Sequence, residues 1–217
     1  MSVDHSLQES VRDAYDEVAE DYAALIPDTR AESAVELAMV DSFAASVGAG
    51  APVLDAGCGA GRMSAYLAGR DLAVQGIDLS PGMVRMARRD HPGLPFVVGS
   101  ISDLPYPDGG FGGVLLWYST IHIPPEGQAR LYREAARVLQ PGGYLLVGCQ
   151  SGSGVHDTAA IYREYGHDVT LLRHRFTADD IAAWLDDAGL TEQCRLVRRP
   201  VGRERDDQAF VLARSSR

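Results

Sequence analysis

The sequence contains no lysine, so all 20 of its basic residues are arginine. We interpret this pattern as the mark of a GC-rich genome rather than of function, and we attach no chemistry to it. Cysteine is also scarce, and Cys58, Cys149 and Cys194 form neither a CxxC pair nor an even framework. We therefore expect neither a disulfide scaffold nor a zinc site.

Long apolar runs and an excess of positive charge are absent as well. No stretch approaches the roughly 20 apolar residues that span a bilayer, and the polar, acidic N-terminal stretch does not resemble a signal peptide. The net charge of −10 and the pI of about 5.0 lack the basic footprint of a nucleic-acid binder. These absences predict a cytoplasmic protein without a nucleic-acid or membrane partner.

What the sequence does contain is a regular alternation of helical and strand patterns, which predicts a single domain over 1–217. Helices are predicted over 7–26, 30–47, 62–69, 81–90, 124–140 and 176–189, and strands over 52–56, 72–78, 95–100, 112–119, 144–150, 191–198 and 207–214. Such alternation is typical of an α/β fold with a mostly parallel sheet and helices on both faces.

One stretch interrupts the alternation. Residues 151–175 are longer than a usual connection between a strand and a helix. They follow the carboxyl end of the fifth strand, where ligands collect in open α/β sheets. We expect this segment to form an extra helix or a lid over a ligand site.

The most informative motif is VLDAGCGAGR at 53–62, in which an apolar strand leads through three glycines into a helix. Glycine permits positive φ and the close approach of a ligand to the backbone. The spacing is GxGxG rather than the GxGxxG of nicotinamide-binding proteins. Asp55 stands inside the end of the strand and needs a partner there. The ammonium of an amino-acid moiety fits this role, directly or through water.

A second carboxylate, Asp78, ends the next strand, 21 residues after Gly57. In this place an aspartate either accepts both hydroxyls of a ribose, as in dinucleotide sites, or caps the following helix together with Ser80. The glycine-rich loop at this distance before it favours the ribose.

Four ordered motifs resemble the class I S-adenosylmethionine (SAM)-dependent methyltransferases, in particular the small methyltransferase type 11 group: VLDAGCGAGR, VQGIDLSPGMVRMAR, FVVGSISDLPYPDGGFGGVLLWYSTIH and REAARVLQPGGYLLVG. The resemblance covers about residues 10–195. It implies a Rossmann-like, mostly parallel seven-stranded sheet whose last strand is antiparallel. It also implies methyl transfer from SAM to oxygen or nitrogen of a small molecule by a monomer or homodimer, and an acidic protein suits a cationic cofactor.

The resemblance further implies a cofactor site drawn from several motifs. Asp55, Gly57, Cys58 and Gly59 are expected at the methionine part of SAM, Asp78 at the ribose, Leu79, Met83 and Ile101 around the adenine, and Trp117 and Tyr118 beside the acceptor. Tyr15 and Tyr22 match an N-terminal helix that often closes over SAM in such enzymes. Many relatives carry an acidic residue at the position of Ser100, which accepts a hydrogen bond from the adenine amino group. In this chain we expect Ser100, Ser102 or Asp103 to accept that bond instead.

Methyl transfer needs a base only when the acceptor arrives protonated. His122 is the main candidate because an imidazole accepts protons near neutral pH, and structural packing at the sheet end is the alternative interpretation. His156, His167 and His174 are further candidates, as are Tyr162 and Tyr165 for an acceptor pocket. No acidic cluster has the spacing of the magnesium site in catechol-type methyltransferases, so no metal is predicted.

Two other functions fit parts of the pattern. One is a SAM-binding protein without transferase activity, which the altered position of Ser100 favours. The other is a nicotinamide-dependent oxidoreductase on a related fold, which the GxGxG spacing disfavours.

Overall fold

The computed structural model describes residues 3–164, 166–202 and 204–217, without the side chains of 3–5 and 161. The helices are α1 Val3–Leu25, α2 Ala34–Val47, α3 Arg62–Ala68, α4 Pro81–Asp90, α5 Pro125–Val138, α6 Ala159–Arg163 and α7 Ala178–Asp187. The strands are β1 Pro52–Ala56, β2 Ala73–Asp78, β3 Phe96–Val98, β4 Phe111–Trp117, β5 Leu139–Ser151, β6 Val155–Asp157, β7 Leu172–His174, β8 Leu190–Arg198 and β9 Asp207–Ser215.

Seven of the strands form one sheet in the order β3-β2-β1-β4-β5-β9-β8. Neighbouring strands from β3 to β5 are parallel, whereas β9 runs antiparallel to both β5 and β8. The predicted Rossmann-like sheet with an antiparallel last strand is confirmed. None of the helices in the described ranges is long and apolar enough to cross a membrane.

Three predicted helix boundaries are wrong, and the first helix begins at Val3 rather than at residue 7. The helix expected over 30–47 is interrupted, because Thr29–Ala31 forms a short 3₁₀ turn and the backbone N–H of Ser33 donates to the Glu36 carboxylate, which starts α2 afresh. The helix expected to reach 140 ends at Val138. Leu139 is already extended and pairs with Phe111 of β4, so tertiary pairing prevails over the local helical pattern.

The central strands are buried on both faces because almost all of their residues are apolar. Leu54 and Leu145 pack into one core cluster, and their neighbours Val53 and Leu146 pack into a second cluster on the opposite face. All four side chains are fully buried. The sheet is therefore a rigid support for whatever lies at the carboxyl ends of its strands.

The helix α1 covers these carboxyl ends from one side. The Asp16 carboxylate accepts hydrogen bonds from the Ser80 hydroxyl and, at 2.6 Å, from the Gly82 N–H. Both donors lie at the N-terminus of α4, where a negative charge is favourable. These bonds fix α1 against α4.

The segment 151–175 covers the same end of the sheet beside α1. It forms the short helix α6 between the two strands of a small antiparallel sheet, β6 and β7. Its Val169 and Leu171 pack in one apolar cluster with Ala14 and Val18 of α1. The two covering elements therefore support each other.

Candidate functional site

A deep cleft lies at the carboxyl ends of β1, β2 and β4, against α1. Its free space is about 940 Å³, part of which is open to solvent. Apart from Tyr15, Asp103 and the candidates in the segment 151–175, fourteen site residues are predicted, and twelve of them line the cleft: Tyr22, Gly57, Gly59, Asp78, Leu79, Met83, Ser100, Ile101, Ser102, Trp117, Tyr118 and His122. The remaining two, Asp55 and Cys58, line an adjoining cavity of about 340 Å³. The structure thus brings all fourteen residues to one place.

The glycine-rich loop after β1 exposes its backbone to the cleft. Gly57 has a φ of +81°, and a Cβ atom placed there would lie 2.3 Å from the Cβ of Ser119. The N–H groups of Gly57 and Cys58 donate to the Ile77 carbonyl, at 2.8 and 3.0 Å. The loop is therefore fixed against β2. A side chain at position 57 is excluded both by the backbone conformation and by the nearby Ser119.

The Asp78 carboxylate at the end of β2 is held by two backbone donors. Its Oδ2 accepts from the Gly59 N–H at 2.8 Å, and its Oδ1 accepts from the Ser80 N–H at 2.9 Å. The helix cap is a different side chain, because the Ser80 hydroxyl accepts from the Met83 N–H at 3.0 Å. Each Asp78 oxygen can accept a second bond, so the carboxylate is arranged for two neighbouring hydroxyl donors.

Asp55 is a buried carboxylate in the adjoining cavity, only 1% exposed. Its Oδ2 accepts a hydrogen bond from the Ser64 hydroxyl at 2.6 Å. Burial raises the pKa of Asp55 to about 6, although the Ser64 bond and the charge of Arg62 act in the opposite direction. A cationic ligand group in this cavity would lower the cost of the buried charge.

An ion pair beside the same cavity was missed from the sequence. The Glu32 carboxylate accepts from the Arg62 guanidinium and, at 3.2 Å, from the Trp117 indole N–H. Both charged side chains are largely buried, and the second Glu32 oxygen, Oε2, is buried without a hydrogen-bond partner among the described residues. Such an atom lacks the hydrogen-bond donor that a buried carboxylate oxygen normally has. Glu32 precedes α2 outside every motif, so no local signal pointed to it.

Two aromatic residues at the end of β4 form part of the cleft wall, and Trp117 also lines the adjoining cavity. Trp117 stacks on Phe210 of β9 with a ring distance of 5.0 Å. Tyr118 has a φ of +56°, which is strained for a residue with a side chain. Its hydroxyl lies 2.8 Å from Gln208 Oε1 and 3.2 Å from a carboxylate oxygen of Glu36. These contacts hold the strained residue in place.

The side of the cleft formed after β3 carries serines rather than a carboxylate. Ser100 and Ser102 line the cleft, and the Ser102 N–H donates to the Ser100 hydroxyl at 3.2 Å. Asp103 is exposed and does not line the cleft. Of the three candidates for an adenine contact, the structure therefore brings the two serines to the site.

His122 lies in the wall of the cleft near α1 and is 8% exposed. Its Nδ1 lies 2.7 Å from the carbonyl oxygen of Leu172, and its Nε2 lies 2.8 Å from the hydroxyl of Tyr15. Burial lowers the pKa of His122 to about 4. The imidazole is therefore neutral at neutral pH.

The other candidates in the segment 151–175 lie elsewhere. His156 is exposed, His167 pairs with Asp21 at 2.7 Å, and the ring of His174 stacks on Phe176. None of the three histidines lines the cleft. Tyr162 packs beside Tyr15 and Tyr22, and Tyr165 lies outside the described residues.

Comparison with known proteins gives several matches. Residues 53–143 match a family model described as a methyltransferase domain. Fatty-acid O-methyltransferase of Mycolicibacterium smegmatis is 44% identical over 101 residues, which cover 45% of this chain and 36% of that protein. Demethylmenaquinone methyltransferase of Tropheryma whipplei is 33% identical over 140 residues, which cover 64% of this chain and 57% of that protein. The chain thus spans only part of the length of these relatives.

A solved structure matches the whole chain. It is the 1,6-didemethyltoxoflavin-N1-methyltransferase of Burkholderia thailandensis with bound 1,6-didemethyltoxoflavin and S-adenosylhomocysteine (SAH). The TM-score is 0.75 at 22% identity, and the match covers 100% of this chain and 92% of the other. At this identity the similarity establishes the fold. Residues 53–143 thus match a methyltransferase domain model, and the whole chain shares the Rossmann-like fold of this solved methyltransferase.

Proposed function

We propose that this protein transfers the methyl group of SAM to oxygen or nitrogen of a small-molecule acceptor and releases SAH. The observation that carries this proposal is the Asp78 carboxylate, held by two backbone N–H groups next to the glycine-rich loop after β1. This arrangement suits the two hydroxyls of a ribose, with the rest of the nucleoside and its substituent on either side. The match to a methyltransferase domain supports the same function.

The adjoining cavity fits the amino-acid end of SAM, which carries an ammonium and a carboxylate. The buried carboxylate of Asp55 lines this cavity and suits the ammonium. The Arg62 guanidinium suits the carboxylate. Gly57 and Cys58 would line this end through their backbone, and Tyr22 and Gly59 border both cavities.

The opposite end of the cleft fits an adenine ring. Leu79, Met83 and Ile101 supply apolar contacts, and the hydroxyl of Ser100 or Ser102 is proposed to meet the adenine amino group. A serine hydroxyl is a weaker acceptor than a carboxylate. We therefore assign most of the nucleoside affinity to the ribose contact.

Bound SAM supplies a methyl group on a positively charged sulfur atom that leaves readily. The protein has mainly to align the acceptor with that methyl group, and such orientation accounts for roughly 7–11 kcal/mol of a barrier. We propose that the wall of Trp117 and Tyr118 positions the two reactants. His122, neutral and close to α1, is proposed as the base for an acceptor that arrives protonated.

We also propose that the protein is a cytoplasmic monomer or homodimer consisting of a single domain, 1–217. The three cysteines are free in the structure, which fits a reducing compartment. The acidic net charge supports a small-molecule acceptor without a nucleic-acid or membrane partner. No metal is required by the proposed reaction.

Isothermal titration calorimetry with SAH tests the cofactor assignment. Asp78→Ala removes the acceptor for two hydroxyls and should weaken binding at least about thirtyfold, since hydrogen bonds to a charged group contribute about 1.5–3 kcal/mol each. Asp187→Ala, which removes an exposed carboxylate on α7, serves as the control. Absence of binding to the wild type at millimolar SAH would rule the function out.

Release of SAH from SAM in the presence of a panel of hydroxyl and amino compounds tests the transfer step. Turnover with at least one member of the panel is expected. Cofactor binding without any turnover would favour a SAM-binding protein that lacks transferase activity.

A further inference from the structure

The contact between Tyr15 and His122 joins two parts of the chain that are 107 residues apart. Tyr15 lies on α1, and His122 lies in the loop after β4. Both side chains line the cleft. Their rings also meet edge to face, with a centroid distance of 5.4 Å.

The hydrogen bonds of His122 determine where its proton lies. The Leu172 carbonyl only accepts, so the neutral imidazole must carry its proton on Nδ1, which lies 2.7 Å away. Nε2 then has no proton and accepts from the Tyr15 hydroxyl at 2.8 Å. Both ring nitrogens are therefore occupied, and an acceptor molecule meets the oxygen of Tyr15 before it meets His122.

We propose that Tyr15 contacts the acceptor and passes its proton to His122, so that the two residues together form the base for a phenolic or enolic hydroxyl. This inference rests on the proposed methyltransferase function and assigns an acceptor class to the same site. The acceptor hydroxyl donates to the oxygen of Tyr15 while the Tyr15 hydroxyl donates to Nε2 of His122.

The proposed step balances in atoms and charge. The acceptor oxygen forms a bond to the methyl carbon as the bond between that carbon and sulfur breaks, and sulfur keeps the electron pair as a neutral thioether. The acceptor proton moves to Tyr15, and the Tyr15 proton moves to Nε2 of His122. The positive charge that leaves sulfur ends on the imidazolium, whose Nδ1–H remains bonded to the Leu172 carbonyl.

The surroundings of the pair favour an acidic hydroxyl on an apolar acceptor. The apolar residues Leu7, Val11, Ile123 and Pro124 line the cleft on this side, together with Gln8 and Arg12 of α1. Burial raises the pKa of Tyr15 well above its usual value, so its hydroxyl keeps a proton to pass on. An imidazole with a pKa of about 4 is a weak base, which suits a phenol or an enol better than an aliphatic alcohol.

Tyr162 of α6 packs against the same apolar cluster as Tyr15 but does not line the cleft. Beside the Tyr15–His122 pair, the cleft is therefore bounded by residues of α1 and of the loop after β4.

Two phenols of different acidity separate proton relay from simple packing. At about pH 8.5, 4-methylphenol is still protonated whereas 4-nitrophenol is already ionised. Tyr15→Phe and His122→Gln should each lower kcat/KM for 4-methylphenol at least a hundredfold. For 4-nitrophenol the loss should stay below about fivefold, because no proton has to move. The double variant should be no slower than either single variant, as expected for residues that act as a unit.

Matched measurements control for damage to the fold. Tyr66→Phe removes a phenol hydroxyl that is bonded to Asp41 outside the cleft, and it should leave both rates unchanged. Binding of SAH to Tyr15→Phe should stay within about threefold of the wild type. Equal losses of kcat/KM with both phenols would indicate that Tyr15 only packs in the cleft, and they would overturn the proposal.

The failure of the acceptor class is distinguishable from the failure of the function. A wild type that binds SAH but methylates neither phenol would overturn the phenolic acceptor and leave the cofactor assignment intact. A wild type that does not bind SAH would overturn the proposed function itself.

Nitrogen NMR of the histidine side chains gives a readout that needs no acceptor. His122, identified by its loss in His122→Gln, should show a protonated Nδ1 and an unprotonated Nε2. In Tyr15→Phe the Nε2 resonance should move because its donor is lost. The opposite tautomer in the wild type would overturn the relay.

Discussion

Replacement of Asp55 by asparagine should stabilise the protein and weaken its binding of the cofactor. The side chain is 1% exposed, and burial raises its pKa to about 6 from a usual value of 3.8. At about 1.4 kcal/mol for each pKa unit, this difference lowers the free energy of unfolding by about 3 kcal/mol once Asp55 is ionised. Asparagine carries no charge and still offers an oxygen to the Ser64 hydroxyl.

The effect depends on pH in a defined direction. Between about pH 4 and 6 the folded protein keeps the Asp55 proton while the unfolded chain has lost it. The contribution of Asp55 to wild-type stability therefore falls as the pH rises through this window and stays low above it. The asparagine variant lacks this dependence. Its advantage in unfolding free energy should be below about 0.5 kcal/mol near pH 4 and about 3 kcal/mol at pH 7.5.

Urea unfolding of the cofactor-free protein at several pH values measures this difference. Asp187→Asn, an exposed carboxylate on α7, should change the unfolding free energy by less than about 0.5 kcal/mol. Calorimetry with SAH should show about tenfold weaker binding to Asp55→Asn, because one charge opposite the ammonium is lost. A variant no more stable than the wild type at pH 7.5, or an advantage that does not vary with pH, would refute the reasoning.

Three further predictions concern the support of the cleft. Gly57→Ala should abolish SAH binding in calorimetry, because its Cβ would lie 2.3 Å from that of Ser119. Gly189→Ala has a similar φ of +78° but open space around it, so it should lower the unfolding free energy in urea by only about 1–2 kcal/mol. An equal loss of unfolding free energy in the two variants would assign the whole effect to backbone strain. Phe210→Ala should lower the unfolding free energy by about 3–5 kcal/mol, because a fully buried ring that stacks on Trp117 is removed; a loss below 1 kcal/mol in the same assay would contradict its role in the wall. Arg198→Met should lower the unfolding free energy by about 3–5 kcal/mol, because Glu36, which is 2% exposed, loses its ion pair at 2.7 Å. In a double-mutant cycle, adding Glu36→Gln should recover most of that loss, because the buried charge is removed. No recovery would argue against the buried charge as the cause.

The sequence was most informative about residues that follow the parallel strands. Gly57, Asp78 and Trp117 each stand at or just after the end of a strand, and parallel strands place these ends along one edge of a sheet. Local patterns therefore predicted their proximity without knowledge of the tertiary structure. The motif spacing then separated this site from a nicotinamide site.

Contacts between distant elements left no local pattern. Tyr15 meets His122 only because α1 docks on α4, and Glu32 reaches Trp117 across 85 residues only because the chain turns back before α2. The predicted end of α5 was wrong for a related reason. Its helical pattern continues to 140, but pairing of Leu139 with Phe111 decides the outcome.

The cleft is formed by two parts of the chain, and only one of them matches the methyltransferase family model. Residues 53–143, which match the methyltransferase domain model, supply its floor, whereas the roof is α1, which lies outside the matched region and is supported by the segment 151–175. Asp16 and the Leu172 carbonyl fasten this roof to the floor. Exchange of α1 and its supporting segment for those of a matched methyltransferase should therefore change the shape of the cleft beside His122, while the glycine-rich loop and Asp78 stay in place.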